Sequence, residues 1–534
     1  MVFASPLPDV EIPEVPLTGY VLEHAAQHPD KPALIDGPTG RTITYGQLDG
    51  AIRSLAGGLR ARGFGPGQVL ALMAPNLPEY AVVFHGVAMA GGTITTINPT
   101  YTASEVHKQL IDSGASLLIT IGLFLETART AIEDTAVTEI FVLGEAEGAT
   151  PATALFGAPL AEQVPISIND VVVLPYSSGT TGLSKGVMLS HYNLVANIAQ
   201  VLEAGEIRED EKFIAVLPFF HIYGMQVLMN TGLRAGSTII TMPRFDLEQF
   251  LSLHQQYGIT RSFVAPPIVV ALAKHPVVDD YDLSSFVWKF CTSAPLSADL
   301  KRWVLDHWPG CMTEIYGMTE GGVGCILHAH DHPDKLHTVG QPGLGSEIVV
   351  LDEEGGVLPR GEVGELAGRA AGATEGTPPP AAGWDFGMTS VQLVKGDQPA
   401  LVDCGTQTSA ETVRLGLLEA GMAPEDLAWL VLTHIHLDHC GAVGDLARAF
   451  PNATVVVHPR GVRHRLASLL TLIALAVVAG CHGPIAALAL HASSFVGAIV
   501  VWLSWVVARR FAPDGVAAVA ALLVSLGGHL LFFT

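Results

Sequence analysis

The chain has 534 residues, with 28 Lys and Arg against 51 Asp and Glu and a formal net charge of −23. That length spans roughly two to four domains, and the acidic balance, without any Lys/Arg-rich stripe to neutralise phosphates, excludes nucleic acid as a partner. The opening MVFASPLPDVEIPEVP has early acids and prolines and no apolar core, so it is no secretory signal. Scattered cysteines (Cys291, Cys311, Cys325, Cys404, Cys440 and Cys481) without a C-x-x-C pair read as reduced, cytosolic thiols.

Residues 1–366 alternate short apolar runs with amphipathic helices, the pattern of an α/β fold. Thr102 with Glu105 forms a capping-box pattern that opens a helix to about Ser113, and Gly114 stops it. Strands are predicted at 116–120, 171–176, 213–217, 237–242, 286–291 and 312–316. Several end in Pro-, Gly- or Ser-rich loops, where ligands sit in open α/β sheets.

One such loop is Ser177-Ser178-Gly179-Thr180-Thr181-Gly182-Leu183-Ser184-Lys185-Gly186. Its glycines let backbone N–H groups turn inward, its hydroxyls add donors and Lys185 adds positive charge, a set that suits a polyphosphate. It departs from the G-x-x-x-x-G-K-[ST] loop, because Ser184 stands where that pattern needs Gly and Gly186 where it needs Ser or Thr.

In order and residue identity, YSSGTTGLSKGVMLSH (176–191) resembles the signature loop of the acyl-adenylate-forming superfamily, which includes acyl-CoA synthetases and coumarate–CoA ligases. NPTYTASEV (98–106), PFFHIYGM (218–225), EIYGMTE (314–320) and the stretch 339–366 resemble further family segments in the same order. The resemblance implies an adenylating-enzyme large domain over 1–367 that uses ATP, Mg2+ and coenzyme A on a small carboxylic acid, aromatic or fatty. It implies that Ser177, Ser178, Gly179, Thr180, Thr181, Gly182 and Lys185 hold the phosphates. Tyr316 and Gly317 would lie at the adenine, Thr319 at the α-phosphate, and Glu320 on Mg2+. His221 would border the acid pocket beside Tyr223, with Lys185, His221, Thr319 and Glu320 as the catalytic set. CTSAPL (291–296) stands where family members carry a Gly-Ala-rich turn, a departure at the pocket floor.

Beyond residue 366 the family pattern continues to a Gly-Asp that grips the ribose, a hinge and a small lid domain with a catalytic lysine. This chain has no T-G-D, and Lys395 is the only lysine after Lys335. The C-terminal lid domain is therefore expected to be missing and adenylation impaired, because the lid lysine offsets charge in the transition state.

Residues 368–386 read as a Pro- and Gly-rich linker. Residues 387–465 form another α/β unit, with LVDCG (401–405) and AWLVLT (428–433) as strands and 411–421 as a helix. The second strand leads into His434, His436, Asp438 and His439, a ligand set at a strand end that suits one or two Zn2+ ions. This H-x-H-x-D-H run resembles the start of a metallo-β-lactamase-fold hydrolase, whose αβ/βα fold is here expected to be partial. The later ligands that family needs do not follow, so the alternative reading, a zinc-dependent hydrolase, is incomplete.

From Leu466 to Ala508 no Asp, Glu, Lys or Arg occurs in 43 residues, and a second uncharged run covers Gly515–Thr534. At about 20 apolar residues per span, 466–534 is predicted to hold two to three transmembrane-like helices. The flanking Arg460, Arg463, Arg465 and Arg509–Arg510 would keep the catalytic part in the cytoplasm, anchored to the membrane by this α-helical tail. Two families that break off early, followed by an abrupt apolar tail, also raise a third reading, a chimera or misjoined chain without integrated function.

Overall fold

The structure is a computed structural model that describes residues 2–177, 185–292, 294, 296–308, 310–352, 356–361 and 365–370, and four strands between 392 and 457. The chain divides into two compact units, Met1–Phe386 and Gly387–Thr534.

The first unit is built on two large sheets. The first of them runs in the order Lys185–Gly186, Val171–Ser177, Thr93–Thr96, Val69–Met73, Leu117–Ile121, Glu139–Leu143 and Thr150–Pro151, with Leu189–Ser190 also on Val171–Ser177. From Val171–Ser177 to Thr150–Pro151 the pairings are parallel. The second runs Gln341–Pro342, Gly322–His328, Cys311–Met318, Trp288–Cys291, Arg261–Val264, Lys212–Ala215, Thr238–Thr241, Pro32–Asp36 and Thr42–Thr44. Its central strands, from Cys311–Met318 to Pro32–Asp36, are parallel. Side chains such as Ile94, Leu72, Val173, Phe213, Ile239 and Phe263 are fully buried, because helices cover both faces of a parallel sheet. One apolar cluster links the two sheets, from Leu17 and Leu70 through Phe213 to Leu344.

Local chemistry sets the helix ends. Thr102 accepts the Glu105 N–H and Glu105 returns a carboxylate to the Thr102 N–H at 2.8 Å, so the helix spans Ala103–Ser113 and ends at Gly114 with φ 63°. This agrees with the expected boundaries. The predicted strand 213–217 stops at Ala215 instead: the Ala215 carbonyl still takes the Met242 N–H, but the Leu217 carbonyl is held by a side chain and not by a neighbouring strand. The strand predicted at 312–316 extends to Met318, because Gly317 and Met318 pair with Val323 and Gly322. A smaller sheet joins Val2–Ala4 to Ser346–Leu351 and Glu365–Ala370, all antiparallel.

In the second unit, Gln392–Val394 pairs antiparallel with Ala400–Val402, which continues in parallel to Trp429–Leu432 and Thr454–Val457. The strands predicted around 401–405 and 428–433 are present there, and Thr454–Val457 adds one the sequence had not marked. The helix expected at 411–421 and the apolar tail 466–534 lie outside the described residues. Among the described residues, no helix is long and apolar enough to cross a membrane.

Candidate functional site

Parallel strands send their carboxyl ends to one edge, which is where an open α/β sheet binds ligands. In the second sheet, Ala215, Val264 and Cys291 end on that edge, and Cys291 is in register with Glu314. The segments leaving these strands carry His221, Thr292 and the hairpin from Tyr316 to Glu320. In the first sheet, the same edge carries the end of Thr93–Thr96 and Asn76, three residues beyond Val69–Met73.

Two side chains from the first sheet hold the turn that bears His221. Asn76, 3% exposed, donates to the carbonyls of Ala215 at 2.8 Å and Leu217 at 2.7 Å and accepts the Phe219 N–H at 2.7 Å. Thr96 donates to the Phe220 carbonyl at 2.8 Å. Every donor and acceptor of the buried Asn76 amide is thereby used, as burial of a polar group requires. Neither residue carried a motif signal, because their partners lie more than a hundred positions away in sequence.

After this turn the chain enters a π-helix, Tyr223–Asn230, of eight buried residues, an irregularity that often marks functional positions. The Tyr223 N–H donates to His221 Nδ1 at 3.2 Å, so the ring proton belongs on Nε2. Solvent reaches His221, yet the protein packed around it lowers its pKa through desolvation. Gly224 is compulsory there, since a Cβ would sit 2.1 Å from the Pro218 carbonyl oxygen. The buried Tyr223 hydroxyl has no hydrogen-bond partner among the described residues, and its pKa is pushed up by burial and then by Cys291.

Tyr316, Thr319 and Glu320 are half-buried on the hairpin between Cys311–Met318 and Gly322–His328. Gly317 lies at a bulge of the ladder, where a Cβ would meet the Gly322 carbonyl oxygen at 2.2 Å. Tyr316 and Gly317 thus belong to a paired strand and not to a strand-end loop. The departing segment 291–296 starts at buried Cys291, whose thiol is pushed up by burial, and ends with the Leu296 N–H donating to Glu314 Oε1 at 3.2 Å.

The 177–186 segment begins and ends in paired backbone, with Lys185 opposite Ser177 and Gly186 opposite Tyr176. Tyr176 donates its hydroxyl to Asp112 of the Ala103–Ser113 helix, and burial and then Asp112 raise its pKa. Ser178, Gly179, Thr180, Thr181 and Gly182 lie outside the described residues, as do His434, His436, Asp438 and His439.

Residues 21–376 match the AMP-binding enzyme family, and residues 384–490 match the metallo-beta-lactamase superfamily. The second match runs past residue 466, into the stretch read from sequence as a membrane tail. Over 379 residues, 68% of this chain, the sequence is 38% identical to 4-coumarate–CoA ligase 1 of Petroselinum crispum and covers 70% of it. Among solved structures, the chain is similar to a long-chain-fatty-acid-CoA ligase from Archaeoglobus fulgidus, with a TM-score of 0.65, 25% identity and 70% and 78% of the two chains covered. ATP-bound MatB from Rhodopseudomonas palustris aligns with a TM-score of 0.61 at 26% identity, over 68% and 71% of the two chains. With two thirds of its length matched by the family model and by a relative 38% identical, the chain belongs to the AMP-binding enzyme family.

Proposed function

We propose that residues 1–367 activate a small carboxylic acid, aromatic or fatty, by joining it to AMP from ATP and passing the acyl group to coenzyme A. The observation that carries this reading is the convergence on one sheet edge of the His221 turn, the 291–296 turn and the Tyr316–Glu320 hairpin. The 38% identity to a coumarate–CoA ligase supports it. In the first step a carboxylate oxygen bonds to the α-phosphorus as pyrophosphate leaves, and negative charges must be brought together. Lys185 and the N–H groups and hydroxyls of Ser177, Ser178, Gly179, Thr180, Thr181 and Gly182 would offset that repulsion. Tyr316 would present its ring to the adenine beside Gly317, and Thr319 its hydroxyl to the α-phosphate. Glu320 supplies the oxygen donor a hard cation takes, and Mg2+ there would neutralise phosphate charge. Neutral His221 and the unpartnered Tyr223 hydroxyl would face the acid.

Because Lys395 is the only lysine after Lys335 and no T-G-D occurs, we infer slow turnover of this reaction. The test is ATP–pyrophosphate exchange with a panel of aromatic and fatty acids. Acid-dependent exchange above the no-acid background is expected for one class. No stimulation by any acid would overturn the reading.

The match over 384–490 favours a second reading for the other unit. His434, His436, Asp438 and His439 would hold zinc, weakly and without hydrolysis, and the tail from 466 would anchor the chain to a membrane. Zinc content after dialysis should fall in His434→Ala/His436→Ala, and equal zinc in both proteins would sink the assignment. Release of the wild-type chain from membranes by a high-salt wash would rule out the anchor.

A further inference from the structure

We propose that Glu314 and Lys301 are a positioning pair that couples the turn after Cys291 to the Tyr316–Glu320 hairpin, so that one carboxylate sets the acid-pocket floor relative to the nucleotide hairpin. The inference rests on the acid-activation reading above. Glu314 sits on Cys311–Met318 two residues before Tyr316, and alternation along a strand puts both on one face. Its Oε1 accepts the Leu296 N–H at 3.2 Å and its Oε2 meets Lys301 Nζ. Lys301 comes from the helix Ala298–His307 and also donates to the Thr338 carbonyl at 3.1 Å. The two side chains are only 3% and 4% exposed. Four segments therefore meet at one buried ion pair: the hairpin strand, the 291–296 turn, the helix after it and the loop at Thr338.

Stability alone does not account for this choice of residues. Desolvation of two buried charges largely offsets their attraction, and apolar pairs of similar volume serve as well or better. Burial raises the Glu314 pKa, against the opposing effects of Lys301 and the Leu296 N–H. An apolar pair cannot accept the Leu296 N–H. That directional bond is what fixes the turn to the strand carrying Tyr316, Thr319 and Glu320 at its end.

Two double variants of the full chain separate direction from packing. Lys301→Met/Glu314→Gln removes both charges and keeps an acceptor for Leu296, whereas Lys301→Met/Glu314→Met removes the acceptor as well. Each is read by amide hydrogen exchange of the Leu296 peptide and by pyrophosphate exchange with 4-coumarate, after thermal unfolding has shown a folded protein. The Gln double should keep Leu296 protection and the KM for 4-coumarate near the wild type. The Met double should lose protection and raise that KM about tenfold, the loss of one hydrogen bond to the turn, with the KM for ATP unchanged. Equal Leu296 protection in the two doubles, or a KM for ATP that rises in step with that for the acid, would overturn the proposal. Should the Met double fail to fold, Glu314→Gln against Glu314→Met in the wild-type Lys301 background gives the same comparison. A wild type without acid-stimulated exchange would refute acid activation, while Leu296 protection would still decide the coupling.

Discussion

Asn76 accepts the Phe219 N–H at 2.7 Å across 143 positions of sequence, and through it one sheet holds the His221 turn of the other. The two halves of the candidate site are thus not independently placed. Their relative position depends on the Asn76 amide together with the Thr96 hydroxyl, which donates to the Phe220 carbonyl at 2.8 Å.

Asn76→Ala should leave the Leu217 carbonyl and the Phe219 N–H without partners in a dry environment, while the Ala215 carbonyl keeps the Met242 N–H at 3.1 Å. The expected loss is about 3 kcal/mol, at 1–3 kcal/mol per unsatisfied group with partial relaxation, measured by urea unfolding. The KM for the acid should rise as His221 loosens. Unchanged stability would mean that the turn is held by Thr96 alone.

Gly317→Ala places a Cβ against the Gly322 carbonyl oxygen, where there are 2.2 Å. Overpacking of this kind costs about 1–3 kcal/mol, here by opening the hairpin that ends in Thr319 and Glu320. ATP affinity, followed by titration calorimetry, should fall at least tenfold. Wild-type affinity would show that the hairpin tolerates the change and that Gly317 serves only local strain.

His85, His191 and His254 are buried, and desolvation pushes their imidazoles down to about 3, about 4 and about 4. An imidazole in the unfolded chain titrates near 6.5. Below that pH the unfolded state takes up protons that the folded state refuses, so this stability is complete above about 6.5 and lost as pH falls toward about 4. Each histidine steepens the loss by about 1.4 kcal/mol per pH unit. Glu314, raised by burial, acts with the opposite sign. His254 donates from Nδ1 to the Phe250 carbonyl at 2.8 Å and accepts from the Ser262 hydroxyl at 2.7 Å. Unfolding midpoints of His254→Gln between pH 7 and 5 should therefore decline less steeply than those of the wild type, and parallel curves would contradict the assignment.

Arg261 is 1% exposed, pairs with Glu211 at 2.6 Å, donates to the Gly205 carbonyl at 2.7 Å and lies over the Trp288 ring at 4.7 Å. Arg261→Met should cost about 3–5 kcal/mol, because Glu211 is left charged in the interior. Adding Glu211→Leu should recover most of that loss in chemical denaturation. A double variant as unstable as the single would show that the guanidinium's aromatic and carbonyl contacts dominate.

The parts of the fold that were legible in sequence are those whose physics is local. Thr102, Glu105 and Gly114 announce a helix start and stop within thirteen residues, and the helix is found at Ala103–Ser113. Strands at Val171–Ser177, Thr238–Thr241 and Trp288–Cys291 follow from runs of apolar residues between turns. Asn76, Thr96, Lys301 and Glu314 were not legible, because a buried amide or ion pair shows its purpose only beside partners brought in by the sheet order. Tyr316 was legible as the end of a strand, whereas Gly317 was legible as a motif but not as a strand, since the extension to Met318 depends on pairing with the strand that follows.

The antiparallel pairing of Val2–Ala4 with Ser346–Leu351, in which Ala4 faces Glu347, bears on how the chain leaves the ribosome. Translation proceeds at about 5–20 residues per second, so roughly 17 to 70 s separate the synthesis of the two strands. Throughout that interval the first strand emerges with unpaired N–H and C=O groups and nothing to pair with. Closing this strand thus waits for its partner to be made, and 183 residues beyond Leu351 are still to be synthesised when it becomes possible.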